Sequence, residues 1–149
     1  MPRKAREQSA TGCYHIMGRG INHTAIYNDD ADNMNFLHIL DFCADEDFTI
    51  FAYCLMGNHF HLLAKADADV LQHVMKAVGI RYVAYFNRRY QRDGPLFRGR
   101  YNSQPVTTKG YFLRVLRYIH RNPVAAGIVQ EMQDYPWSSY LCLLYTSDA

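Results

Sequence analysis

Gly57-Asn58 constrains this chain more than any other feature of its sequence. The pair divides two apolar runs, FTIFAYCLM at 48–56 and HFHLLAKA at 59–66. A Gly-Asn step suits the tight turns whose twist matches that of paired strands, so the two runs read as a β-hairpin. The flanking segments extend the pattern. CYHIMG at 13–18 is rich in strand formers, and Gly18 and Gly20 end it. Asp29-Asp30 open a helix to about Asp45, with Phe36, Leu37, Ile39, Leu40 and Cys43 at helical spacing. Residues 70–90 read as a long helix with Leu71, Val74, Met75, Val78, Tyr82, Tyr85 and Phe86 inward, stopped by Asp93-Gly94-Pro95. Leu96 to Val106 reads as a strand with Arg98, Arg100 and Asn102 alternating along it. Thr107 or Thr108 then caps a helix to about His120. Pro123 lacks an N–H and biases Asn122 away from α geometry, so Asn122-Pro123 is expected to start a new turn through Gly127. The order β-α-β-β-α-β-α predicts an α+β fold, a ferredoxin-like split βαβ sheet with an additional C-terminal helix. Such a fold carries no chemistry by itself.

At 149 residues the chain fits one domain and can bury a core. No apolar run approaches the roughly 18 residues a membrane span needs. The basic start, MPRKAREQSATG, has no apolar stretch behind it and does not read as a secretory signal. Residues 1–11 are expected to form a flexible basic arm. Cys13, Cys43, Cys54 and Cys142 form no CxxC pair, which argues against a zinc ribbon and fits a reducing, cytoplasmic setting.

The net charge of +2 hides an asymmetry. From Lys76 to Arg121 there are eleven Lys or Arg and one acid, Asp93, against five basic and thirteen acidic residues elsewhere. Such a block is either a polyanion surface or a set of solvated helix faces. Tyr82, Tyr85, Phe86, Tyr90, Phe97, Tyr101 and Tyr111 interleave with or flank its arginines. Aromatics in that setting can stack bases while arginines hold phosphates, although some must be core.

His59-Phe60-His61 falls in the second hairpin strand, where residues two apart share a face. Both imidazoles can therefore reach one metal while Phe60 turns to the other face. The spacing alone equally allows two histidines hydrogen-bonded at a sheet surface. Tyr118 and Asn122 are four apart in RYIHRN and share a helical face. An asparagine carbonyl suits a magnesium-like cation, and a nearby tyrosine hydroxyl can attack a phosphate which that cation polarises. Tyr118 is also one of twelve tyrosines, and core packing is the alternative.

LMGNHFHLL resembles the His-hydrophobe-His motif of the single-tyrosine HUH transposases, and the chain is most similar to the REP-associated tyrosine transposase family. Five segments carry the resemblance in order: YHIMGRG at 14–20, AYCLMGNHFHLL at 52–63, YVAYFNRRYQRDGPLFRGRY at 82–101, LRYIHRNPVAAGIV at 116–129 and DYPWSSY at 134–140. The resemblance implies a catalytic domain over 12–141, with His59, His61 and Asn122 holding Mg²⁺ or Mn²⁺ and Tyr118 as nucleophile. It implies nicking and rejoining of single-stranded hairpin DNA from repetitive palindromic elements, through a covalent 5′-phosphotyrosine. Arg88, Arg89, Arg98 and Arg100 are the leading candidates for phosphate contacts, and Arg19 and His23 are further ones. His120 lies about 200° around the helix from Tyr118 and is not assigned as a base. A monomer or a homodimer is compatible with this reading.

Two departures stand out. Ala125 occupies a position where the family often has arginine. The tail CLLYTSDA, 142–149, resembles a translated sequencing adapter, which implies a non-native end and a natural chain that continues past Leu141. Two other functions remain open from sequence. One is a catalytically silent DNA- or RNA-binding regulator on the same fold. The other is a metallohydrolase using water, disfavoured because no carboxylate accompanies the HFH motif.

Overall fold

The computed structural model describes residues 6–142. Its main elements are β1 (Cys13–Arg19), α1 (Asp30–Cys43), β2 (Thr49–Leu55), β3 (His59–Lys65), α2 (Ala68–Tyr90), β4 (Asn102–Val106) and α3 (Lys109–Ala125). The strands form one four-stranded sheet in the order β2-β3-β1-β4, antiparallel throughout. This is the ferredoxin-like split arrangement expected from the element order.

Alternation along the strands decides which helix covers which face. On β3, Phe60, Leu62 and Ala64 bury against Phe36 and Leu40 of α1 and Leu71, Val74, Val78 and Tyr82 of α2. Leu63 turns the other way, into a cluster with Ala52 and Cys54 of β2 and Val115 and Ile119 of α3. The sheet therefore has α1 and α2 on one face and α3 on the other. His59 and His61 share the parity of Leu63 and so belong to the α3 face. On β1, Tyr14 and Ile16 join the first cluster, which leaves His15 and Met17 on the α3 face. Burying a side chain such as Phe60 or Ile119 is worth about 1.5–3 kcal/mol, so both faces are firmly specified. Gly18 pairs with Phe60, and a Cβ on Gly18 would come within 2.4 Å of the Phe60 ring. The glycine lets that ring lie flat on β1 and thereby fixes the parity of the two histidines.

Side chains cap two of the helices. The Asp29 carboxylate accepts from the Asp32 N–H at 3.1 Å, and the Thr108 hydroxyl accepts from the Tyr111 N–H at 3.1 Å. Both satisfy N–H groups that have no partner inside the helix. Among the described residues no helix is long and apolar enough to cross a membrane.

Two expectations are corrected. The last strand begins at Asn102, not Leu96. Gly99 takes a positive φ of 63°, which breaks the extended run, and residues 96–101 instead fold back on β1. There the Leu96 carbonyl accepts from Ile21 N–H, and Arg98 N–H donates to the Arg19 carbonyl, both at 2.8 Å. The last helix also does not stop before Pro123, which lies inside α3. Pro123 has no N–H to give the Ile119 carbonyl, but the helix is closed further on. Gly127 (φ 76°) donates to the Val124 carbonyl and Ile128 to the Pro123 carbonyl, each at 3.0 Å. This is a Schellman stop, and it holds the final turn. Two residues of the described part of the N-terminal segment contact the 101–106 region. Arg6 donates to the Tyr101 carbonyl at 2.7 Å and stacks 3.9 Å over the Tyr101 ring, while Thr11 donates to the Val106 carbonyl at 2.6 Å. Residues 1–5 and 143–149, which hold the rest of that arm and nearly all of the adapter-like tail, lie outside the described residues.

Candidate active site

The start of β3 meets Arg98 and Arg100 of the 96–101 segment in a cleft of about 730 Å³. Arg19, His23, Asn58, His59, His61, Arg98, Arg100, Asn102 and Tyr118 all line it. Each arrives for a local reason. The hairpin turn presents Asn58 and His59, and period-two geometry puts His61 on the same face. Arg19 is the register partner of His59 on β1. The Arg98–Arg19 backbone bond brings Arg98 and Arg100 to the same rim. From α3, Tyr118 reaches over: its ring stands edge-on to His61 with centroids 5.5 Å apart and edge-on to His15 at 6.0 Å. Tyr118 is 54% exposed, whereas His61 beneath it is only 2% exposed.

Both histidines of the pair have Nδ1 engaged. His59 Nδ1–H donates to Asn58 Oδ1 at 2.7 Å, since an amide oxygen can only accept. His61 Nδ1 shares a 3.0 Å hydrogen bond with His15 Nε2. Nε2 is therefore the free ring nitrogen on each. Burial lowers His59 below the usual imidazole range. Burial also lowers His61, to about 3, helped by the neighbouring His15 and His59. His15 is lowered by its own burial. Neutral imidazoles are the form that ligates metal.

These donors fit a divalent cation in part. His59 and His61 supply two neutral nitrogens on one face. Among the described residues no group of three or more His, Cys, Asp or Glu is placed to hold a metal. Asn122, expected as the third ligand, does not line the cleft. Four residues of unbroken helix carry it about 6 Å along the axis from Tyr118. Its carbonyl accepts from Ala126 N–H at 2.9 Å. With two protein nitrogens as ligands, the remaining positions of a divalent cation would fall to water and phosphate oxygens.

The basic block is divided between different tasks. Arg98, Arg100, Arg19 and His23 line the cleft. Arg89 does not: its guanidinium lies 2.6 Å from carboxylate oxygens of both Asp29 and Asp32. Those partners raise its pKa further and hold α2 to the start of α1. Arg88 lines a separate depression between α1 and α2 with Asn35, His38, Phe42 and Arg81. Neither is a cleft residue, because α2 packs on the other face of the sheet from α3 and the histidines. Most of the interleaved aromatics are likewise structural. Tyr82 and Phe86 are core, Tyr85 and Tyr90 donate to Asp32 at 2.9 and 2.6 Å, and Phe97 packs edge-on to Phe60.

Sequence reasoning passed over Asn58 and His15. Asn58 was legible only as a turn residue. His15 lies in YHIMG, two residues from Met17, the register partner of His61, and odd-even parity with Tyr14 and Ile16 was the available signal. His120 is buried, with Nε2 and Ser139 Oγ 2.8 Å apart. Ser139 also accepts from Tyr53 N–H at 2.8 Å, so it ties the 137–139 segment to β2 and, through His120, to α3.

The chain resembles a solved REP-associated tyrosine transposase bound to a REP hairpin, with a TM-score of 0.71 at 16% identity over 94% of this chain and 83% of that one. It also resembles a putative transposase from Deinococcus radiodurans R1, with a TM-score of 0.50 at 20% identity over 79% of this chain and 95% of that one. At such identities these likenesses speak to the fold. No curated protein sequence matches the chain. The family described as IS200-like transposases matches residues 9–122, which span β1 through the Tyr118 turn of α3, and the chain belongs to that family.

Proposed function

We propose that this transposase nicks and rejoins single-stranded hairpin DNA, with Tyr118 as the nucleophile and a divalent cation, Mg²⁺ or Mn²⁺, held by His59 and His61. The observation that carries the reading is the approach of the Tyr118 ring to His61, 5.5 Å between centroids, in a cleft rimmed by three arginines. The solved relative with the same fold is bound to a REP hairpin, which supports hairpin DNA as substrate here.

Arg19, Arg98 and Arg100 hold the DNA backbone as charge-assisted donors. The Tyr118 oxygen then attacks the scissile phosphorus. A tyrosine O–P bond forms, the P–O3′ bond breaks, and the 5′ side of the DNA becomes linked to the enzyme. The tyrosine proton passes to water, and the departing 3′ oxygen takes up a proton to become a free hydroxyl. Rejoining is the reverse: a 3′-hydroxyl attacks the phosphotyrosine and releases Tyr118. His59 and His61 would hold the cation, which would supply charge neutralisation for the phosphate oxygens. Tyr118 is exposed, so the hydroxyl is free to meet a strand arriving from solvent.

The test is incubation of the protein and Mg²⁺ with end-labelled single-stranded hairpin DNA, followed by a denaturing gel. A covalent adduct with the wild type and none with Tyr118→Phe supports the reading. Cleavage that survives Tyr118→Phe without an adduct means a water nucleophile, and a surviving adduct means another residue is the nucleophile. Tight hairpin binding without any adduct means a silent binding protein on the same fold.

A further inference from the structure

We propose that His15 is a positioning residue that fixes the tautomer of His61 and thereby presents Nε2 of His61 as a ligand. This rests on the reading that the histidine pair holds a cation. His15 lies on β1, which is hydrogen-bonded on both sides, to β3 and to β4. It sits on the α3 face, diagonally across from His61, whose register partner on β1 is Met17. Both rings are buried, stacked at 5.2 Å between centroids with 27° between planes, and joined by the 3.0 Å contact from Nε2 to Nδ1.

One hydrogen bond between two imidazole nitrogens holds one proton, and two arrangements satisfy it. In the first, His61 carries its proton on Nδ1 and donates to His15. Nε2 of His61 then has a lone pair to give a cation. In the second, His15 donates from Nε2, and neutral His61 keeps its proton on Nε2, where it blocks ligation. A ligating histidine generally donates its other N–H to a fixed acceptor, and only the first arrangement does so. His59 has that acceptor in Asn58 Oδ1, which cannot donate. His15 occupies the equivalent place for His61. Its Nε2 is committed to this bond, so that nitrogen does not also bind the cation.

Two variants separate orientation from bulk. His15→Phe keeps a ring and removes the acceptor. His15→Gln keeps an amide oxygen near the position of Nε2. Long-range ¹H–¹⁵N NMR of the metal-free protein reads the His61 tautomer directly, and titration with Mn²⁺ reads affinity. The expected result is His61 protonated on Nδ1 in the wild type and shifted toward Nε2 in His15→Phe. Mn²⁺ affinity should fall about 10- to 100-fold in His15→Phe and recover largely in His15→Gln, with metal-free hairpin binding unchanged in both. A wild-type His61 protonated on Nε2, or a His15→Phe protein with wild-type tautomer and Mn²⁺ affinity, overturns the proposal. Mn²⁺ binding that ignores His59→Ala and His61→Ala would overturn the cation reading instead, while the tautomer measurement still decides the role of His15.

Discussion

Arg89 and Arg98 come from the same basic stretch of sequence and end in opposite circumstances. Arg89 contacts two carboxylates, Asp29 and Asp32. Asp32 is wholly buried and also accepts from the Tyr85 and Tyr90 hydroxyls and the Asn28 N–H. In that cluster two carboxylates share one guanidinium, and it ties α2 to α1. Arg98 and Arg100 reach the cleft beside Arg19, where no acid is among the lining residues. Burial keeps His59 and His61 neutral, and the cationic rim has no acid among the lining residues to balance it. Positive charge without a local acid attracts a polyanion, whereas charge already paired stabilises an interface. The difference lies in the acids placed nearby, which counts of Lys and Arg along the chain do not reveal.

The comparison can be broken from either side. The largest effect is expected at Tyr118. Tyr118→Phe should reduce adduct formation by about a thousandfold or more without changing the urea midpoint, because its ring is largely exposed. Gel quantification and a chemical melt check the two halves. Next comes Asp32→Ala, which strips the buried acceptor from the Arg89 cluster. It should cost about 2–3 kcal/mol of stability while leaving hairpin affinity of the folded protein unaltered. If Asp32→Ala changes the salt dependence of DNA binding, the cluster is not purely structural.

Smaller effects separate the arginines. Arg98→Ala and Arg100→Ala should each weaken hairpin binding about tenfold and reduce the slope of log affinity against log salt by about one. Arg89→Ala should leave that slope unchanged and lower only thermal stability. An equal slope change for Arg89 would mean that the basic block acts as one surface. The smallest effect is in pH dependence. His61 is held neutral by burial, so below the unfolded imidazole pKa the unfolded chain takes up a proton that the folded one refuses. Stability is then lost as pH falls from about 6.5 toward the His61 value of about 3. Asp29 is lowered chiefly by its bond to Arg89, so its contribution is present above the ordinary carboxylate range and fades only as pH falls through its depressed value. Urea midpoints against pH should therefore decline less from pH 7 to pH 5 in His61→Phe than in the wild type, with Asp29→Asn parallel to wild type over that window.

Much of this architecture was readable because it rests on periodicity. The hairpin about Gly57-Asn58, the inward stripe of α2 and the element order all follow from patterns of period two or 3.6. The Thr108 cap was legible for the same local reason. What escaped depended on contacts across the chain or on competing local rules. Pro123 reads as a helix stop, but the Schellman bonds at Gly127 and Ile128 close the helix beyond it. The run from Leu96 looks like strand until Gly99 adopts its positive φ. Asn122 shares a helical face with Tyr118, yet the pitch carries it beyond the cleft. Arg88 and Arg89 share a sequence block with Arg98 and Arg100, but only the latter two line the histidine cleft. His15 had no sequence neighbour to mark it, since its partner His61 is 46 residues away.

The central claim is that Tyr118 becomes joined to DNA. Tryptic digestion after reaction with a labelled hairpin tests it most directly, because cleavage after Arg117 and Arg121 yields Tyr-Ile-His-Arg, in which Tyr118 is the sole tyrosine. The account predicts the nucleotide mass on that peptide, and its loss in Tyr118→Phe. Nucleotide mass on any other tyrosine peptide, or efficient nicking with none on this one, would contradict it.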